Sequence, residues 1–354
     1  MPYNDETEQA GRFWGDEDRA AFYCEGGLTW EQSHTVNARI NAKISGDPSR
    51  DWINHLLSTQ LNDKWPVESA LSLCCGEGTH ELELARRGIF DHCLALDVSE
   101  KVLQRARARA SEAGVGNIEF RCEDVNALVL EPERYDVVFS RSALHHVTAL
   151  ERILDAIAVG LKDHGILVIN EYVGASQFQY SDRQIEVCNA ALRLLPEAYR
   201  RSVSWRRMER IGPQRQRNIG QWLRLLWLKL WNFTLLEALI RRIRNRSLRR
   251  SSGDYIKREI PRVEASEMSI DDPSEAIRSE EILPLVRERF DILDYRPYGG
   301  TLLHPVLDDI TGNFSPDDPI SMDLLRMLFR IEDTLMTCGD IGSDFVYLVG
   351  RPKG

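Results

Sequence analysis

The chain has 354 residues, 43% of them hydrophobic and 28% charged, with a net charge of −10. That is enough length and apolar content for a large core, and the composition excludes a disordered or fibrous protein. Seven scattered cysteines with no C-x-x-C pair point to reduced thiols, and the N-terminal Met-Pro-Tyr-Asn-Asp-Glu-Thr-Glu lacks the basic and apolar blocks of a signal peptide, so a cytoplasmic protein is expected.

Residues 1–66 place Trp14, Trp30, Trp52 and Trp65 among charged residues, and Val36, Ile40 and Ile44 recur every four positions, as on one face of a helix. A helical extension is expected there. Next comes Ala70-Leu-Ser-Leu-Cys-Cys-Gly-Glu-Gly-Thr79, an apolar run that stops at small residues, followed by a helix from about Thr79 to Arg87 and a strand ending in Leu94-Ala-Leu-Asp97. This is the layout of a nucleoside-binding βαβ unit. Backbone at Cys74–Gly78 can touch a ligand, and Asp97, 21 residues after Gly76, can accept two ribose hydroxyls. A nicotinamide cofactor and S-adenosylmethionine are equally compatible with this much, and Asp97 could also be an ordinary cap before Ser99-Glu-Lys-Val-Leu.

Two later stretches separate the alternatives. A third strand, Ile118–Cys122, precedes Glu123-Asp124-Val125, and a fourth, Tyr135–Ser140, runs into Arg141-Ser-Ala-Leu-His-His-Val147. From about Leu71 to Gly174 the chain resembles the class I S-adenosylmethionine-dependent methyltransferases. More weakly, Phe290–Tyr295 and Ser343–Gly350 are similar to that family's last two strands. The resemblance implies an α/β, Rossmann-like, seven-stranded mixed sheet with helices on both faces, and S-adenosylmethionine as cofactor. It places Cys74, Cys75, Gly76 and Gly78 at the methionine end, Asp97 on the ribose, Val98 against adenine, Asp124 and Val125 near the adenine amino group, and Ser140 at the end of the fourth strand. The pattern departs from the family at Ser72, where an acid is usual, and at Cys74, where the first glycine is usual.

Strand Ile166–Asn170 leads to Glu171 and Tyr172 at the expected reaction centre. The expected organisation is an N-terminal extension (1–66), a cofactor-binding core (67–175), a basic helical insertion or lid (176–285) and C-terminal strands completing the sheet (286–354). Between residues 200 and 262 there are 18 Arg and Lys against four Asp and Glu, in a chain that is acidic overall. Within this segment, Trp222–Ile240 is apolar on most helical sides and the arginine-rich 241–250 follows. Arg224, Lys229, Asn232 and Glu237 argue against a membrane span, which leaves a peripheral helix on an anionic membrane at its inner face, or a lid or homodimer element. Nucleic acid is disfavoured, since no known binding module is present.

A hydroxyl acceptor must lose a proton as it takes a methyl group, and imidazole titrates in the right range. His145, ahead of His146, is therefore expected in the active site, with Glu171 as a further catalytic candidate and Arg141, Tyr172 and His304 as acceptor-binding candidates. Adjacent histidines are not expected to face one cavity together. No metal is expected, because no grouped His and carboxylate set has ligand-like spacing apart from Asp308-Asp309, which reads as solvated. The function expected is O-methylation of a small-molecule, glycan or lipid-linked acceptor. The alternatives are an inactive methyltransferase-like membrane or partner adaptor, an N- or C-methyltransferase of a natural product, and a nicotinamide dehydrogenase.

Overall fold

The structure, a computed structural model, describes residues 9, 11, 13–15, 28–62, 64–203, 255–262 and 272–354. Two helices, α1 (His34–Ser45) and α2 (Trp52–Leu56), precede the sheet. Then come β1 (Val67–Leu73), α3 (Thr79–Arg86), β2 (Phe90–Asp97), α4 (Glu100–Glu112), β3 (Ile118–Cys122), β4 (Tyr135–Arg141), α5 (Leu150–Gly160) and β5 (Leu161–Tyr172). After α6 (Asp182–Leu194) the described chain resumes with α7 (Ser279–Arg289), β6 (Phe290–Gly299), α8 (Leu303–Leu307), α9 (Pro319–Thr337) and β7 (Phe345–Pro352). The strand order is β3-β2-β1-β4-β5-β7-β6, with β1 to β5 parallel and β7 antiparallel to both its neighbours. The expected seven-stranded mixed sheet is present.

Its strands are apolar at successive positions because both faces are covered. Val137, Phe139, Ile166, Val168, Tyr347 and Val349 pack into one core, whereas the alternating Val138, Leu167, Ile169, Val346 and Leu348 pack into another. Helices α1, α2, α6 and α9 close the first face through Val36, Ile40, Ile44, Ile53, Leu56, Leu192 and Leu328. Helices α5 and α7 close the second through Ile153, Leu154, Ile157, Ile282 and Val286. The face predicted by Val36, Ile40 and Ile44 is thus buried, in the same core as the sheet.

The last two strands run further than their sequence signals, since β6 continues to Gly299 through polar residues whose backbone pairs with β7. Asp308 and Asp309, expected to be solvated, instead tie segments together. Trp30 N–H donates to Asp308 Oδ1 at 2.9 Å, and Ser202 Oγ donates to Asp309 Oδ2 at 2.5 Å. Residues 222–250, which carry the membrane, lid and dimer alternatives, lie outside the described residues. Among the described residues no helix is long and apolar enough to cross a membrane.

One buried carboxylate fastens the N-terminal helix to the C-terminal part of the fold. Glu332 of α9 accepts the N–H groups of Gly300, Leu302 and Leu303 at 2.9–3.1 Å, and its other oxygen meets Arg39 of α1 at 2.8 Å. Arg39 also reaches Asp333 at 2.8 Å, so removing Glu332 leaves Arg39 one carboxylate but takes the acceptor from three buried N–H groups. Glu332→Ala is expected to lower unfolding free energy by about 3–5 kcal/mol, measured by urea denaturation followed by circular dichroism.

Candidate active site

The carboxyl edge of the parallel strands carries two loops built from backbone constraints. After β1 the chain turns tightly. Cys75 N–H donates to Leu96 O at 2.8 Å and Gly78 N–H to Cys75 O at 3.0 Å, with φ of 47° at Cys74, 54° at Gly76 and 70° at Gly78. Cys74 therefore adopts the left-handed conformation that a glycine takes without strain. A side chain at Gly78 would strike the Phe120 ring at 2.9 Å, whereas one at Gly76 would meet nothing within 4 Å, so the loop's backbone borders open space there. Burial pushes the Cys74 and Cys75 thiols above their ordinary range, which leaves them as packing groups.

Asp97 ends β2 and braces this loop. Its Oδ2 accepts Gly76 N–H at 2.9 Å and its Oδ1 accepts Ser99 N–H at 2.9 Å. Burial raises its pKa, opposed by these backbone donors. Each oxygen keeps a further lone pair for a ligand. Asp124 caps the turn Val125–Ala127, with Oδ1 accepting from Asn126 N–H and Nδ2 at 2.9 Å. Ser140 Oγ, at the end of β4, is buried and has no hydrogen-bond partner among the described residues. A braced carboxylate, an open backbone loop and an orphaned hydroxyl at one sheet edge fit the ribose, methionine end and polar rim that S-adenosylmethionine would present.

The second loop, after β4, is organised by Glu171 of β5. Its Oε2 accepts Ala143 N–H at 2.7 Å and Leu144 N–H at 2.8 Å, while Oε1 accepts Tyr172 N–H at 2.8 Å and lies 2.5 Å from His145 Nδ1. Burial would lower the His145 pKa, but the Glu171 carboxylate outweighs it and raises it to about 9. Burial would likewise raise Glu171, and the facing imidazolium holds it below its usual value. His146 is pushed below 6.5 by burial and by the charge on His145.

Contrary to expectation, both rings face one place. Their centroids are 4.1 Å apart, and Glu275 approaches both, with Oε1 3.7 Å from His145 Nε2 and Oε2 4.0 Å from His146 Nε2. His146 Nδ1 lies 3.2 Å from Ser274 Oγ. Among the described residues this is the group whose donor atoms, all within 4.8 Å, converge closely enough for a shared proton or a metal ion. Sequence spacing could not reveal it, because Glu275 is 129 residues from His146 and arrives through Ile277 N–H donating to His145 O at 3.0 Å. The N-terminal segment covers the same point: Trp14 packs edge-on to His146 and donates from Nε1 to Asp272 at 2.8 Å, while Ser99 Oγ donates to Gly11 O at 2.9 Å.

The acceptor-binding candidates separate. Tyr172 and His304 come together, 6.0 Å between centroids, within a set of rings that includes Trp30, Phe178 and Phe345. His304 Nε2 meets Asp308 at 3.0 Å and its Nδ1 is buried without a partner among the described residues. Arg141 is held elsewhere, 2.9 Å from His80 Nδ1 and 3.8 Å from Glu31.

Residues 67–223 match the sequence profile of a methyltransferase-domain family. The chain is 32% identical to a malonyl-[acyl-carrier protein] O-methyltransferase of Bacillus cereus over 128 residues, 35% of this chain and 46% of the relative. It is 26% identical to an N-terminal Xaa-Pro-Lys N-methyltransferase 1 of Xenopus tropicalis over 190 residues, 49% of this chain and 80% of the relative. A solved putative S-adenosylmethionine-dependent methyltransferase from Listeria monocytogenes aligns at TM-score 0.31 and 26% identity, covering 36% of this chain and 60% of that one. The chain spans about half the length of the first curated relatives it matches. Strand order, the glycine-bearing loop after β1, the acid ending β2 and the matched profile agree: the chain carries a class I S-adenosylmethionine-dependent methyltransferase domain.

Proposed function

We propose that this chain transfers a methyl group from S-adenosylmethionine to an oxygen atom of its acceptor, with His146 receiving the acceptor's proton. The observation that carries the reading is the unequal histidine pair at the sheet edge. One imidazole lies 2.5 Å from the Glu171 carboxylate, which shifts it towards the charged form, and its neighbour, 4.1 Å away between centroids and beside Glu275, is shifted towards the neutral form. The order of the two roles is the reverse of the one expected from sequence.

When bound, S-adenosylmethionine supplies an electrophilic methyl with a good leaving group, so the protein's work is alignment, exclusion of water and proton removal. Asp97 offers lone pairs to the ribose hydroxyls, and the Cys74–Gly78 backbone borders the methionine end. Glu171 is saturated by four donors and acts as a positioning residue. It sets the β4 loop and keeps His145 protonated, and that charge favours the neutral form of His146. Above its lowered pKa, His146 is a free base at neutral pH, and Glu275 is placed to stabilise the imidazolium that forms. The rings around Tyr172 and His304 favour an acceptor with an apolar or planar body. The B. cereus relative's activity on oxygen supports this acceptor atom, although that of the X. tropicalis relative is on nitrogen.

Asp97→Ala is expected to weaken S-adenosylmethionine binding by about 2 kcal/mol or more, as loss of a charged acceptor should. Calorimetry showing undiminished affinity would remove Asp97 from the site. The pH dependence of turnover distinguishes the two histidines. His146 faces His145, Glu275, Asp272 and Glu171, whose net effect with burial is a lowered pKa. With His146 as base, kcat should rise through a limb below pH 6.5 and then level, whereas a base at His145 would put the rise near pH 9. His146→Ala should lower kcat roughly 10²-fold while cofactor affinity is kept. Equal, small effects of alanine at both positions would assign transfer to positioning alone.

A further inference from the structure

The β1 loop lacks an acid at Ser72, yet a buried carboxylate stands beside that position. Ser72 Oγ donates to Glu81 Oε1 at 2.6 Å, and both side chains are 3% exposed. Glu81 comes from the first turn of α3, nine residues later, so the helix that follows the loop turns its acid back beneath the loop. Its other oxygen, Oε2, is buried with no hydrogen-bond partner among the described residues. An unpaired buried carboxylate oxygen is costly unless a donor arrives. Burial raises the Glu81 carboxyl above its ordinary range, opposed by the bond from Ser72, and the bond to Ser72 ties it to the end of β1 just before the Cys74–Gly78 loop.

Arg141 could have paired with it, but that guanidinium is directed to His80, at 2.9 Å, and towards Glu31. A cationic donor of another origin reaching Oε2 would favour the charged carboxylate over the neutral acid that burial favours. The methionine end of S-adenosylmethionine carries one, its ammonium group. We propose that Glu81, oriented by Ser72, supplies the carboxylate that receives this ammonium group, so that the acid absent from β1 has been moved to α3. This rests on the reading that the loop binds S-adenosylmethionine. A serine at position 72 is then the required partner of a glutamate at 81, because it supplies the donor that fixes one oxygen and leaves the other free.

The test uses two ligands that share a nucleoside and differ in the charged tail. S-Adenosylhomocysteine keeps the ammonium group, and 5′-methylthioadenosine lacks it. Calorimetry is run on the full chain, on Glu81→Gln, which keeps shape and an acceptor for Ser72, and on the double variant Ser72→Asp with Glu81→Ala, which returns the acid to β1. Thermal melts confirm folding. Glu81→Gln is expected to weaken S-adenosylhomocysteine at least tenfold and to change 5′-methylthioadenosine less than twofold, and the double variant should recover most of the lost affinity. Equal weakening of both ligands would make Glu81 a structural brace and overturn the proposal while leaving the cofactor reading intact. No change for either ligand would overturn it in the same way. If the wild-type chain binds neither ligand, the cofactor reading itself fails and the proposal fails with it.

Discussion

The loop after β4, with its histidine pair, depends on a single carboxylate, that of Glu171. It is 1% exposed, sits at the end of β5, and accepts the N–H groups of Ala143, Leu144 and Tyr172 together with His145 Nδ1. A carboxylate buried without such donors would be protonated or would destabilise the fold. With them it holds the segment after β4 in a defined turn. His145 then fixes Ile277 through its carbonyl, which brings the 272–278 segment and Glu275 over the pair. Remove that charge and the orientation of both imidazoles loses its cause.

The site also concentrates backbone strain. Cys74, Ser142 and Ala276 have φ of 47°, 48° and 50°, and all three lie in loops that meet at the histidine pair or the glycine turn. Left-handed backbone at residues with a Cβ costs roughly 1–2 kcal/mol each, and it persists where surrounding contacts over-determine it. Ser142 N–H is held on Asn170 O at 3.0 Å, and the chain beyond Ala276 is held by the bond from Ile277 N–H to His145 O at 3.0 Å. Both restraints come from the parallel strands or from what they position. Strain at the edge is therefore offset by order in the sheet.

Distant segments are joined at polar nodes. Arg39 with Glu332 links α1 to α9, Trp14 with Asp272 closes the N-terminal segment over His146, and Asp308 receives both Trp30 and His304. The N-terminal helices share the core of one sheet face, and their polar contacts extend to the groups around the reaction centre. Cover and core are thus coupled, and a change in the cover reaches the histidines through Trp14 and Asp272.

The sheet was legible in the sequence because its strands are short apolar runs ended by small or acidic residues, and that signal is local. Val36, Ile40 and Ile44 announced a buried helix face for the same reason, and the spacing of 21 residues from Gly76 to Asp97 announced the βαβ unit in which that acid ends the second strand. Both adjacent histidines could be named, but not that they would share a carboxylate, since Glu275 approaches only when the chain returns over the sheet edge. Nor could the sequence show that Asp308 and Asp309 are engaged rather than solvated. Glu81 was invisible as a site residue because an acid on a helix ordinarily points to water; only the packing of α3 against β1 turns it inward to Ser72. Periodicity and motif spacing determine which elements form and which ligand class the βαβ unit suits. Protonation state, partner choice and the direction of each buried charge are set by groups far apart in the chain, whose distances exist only once the sheet has closed.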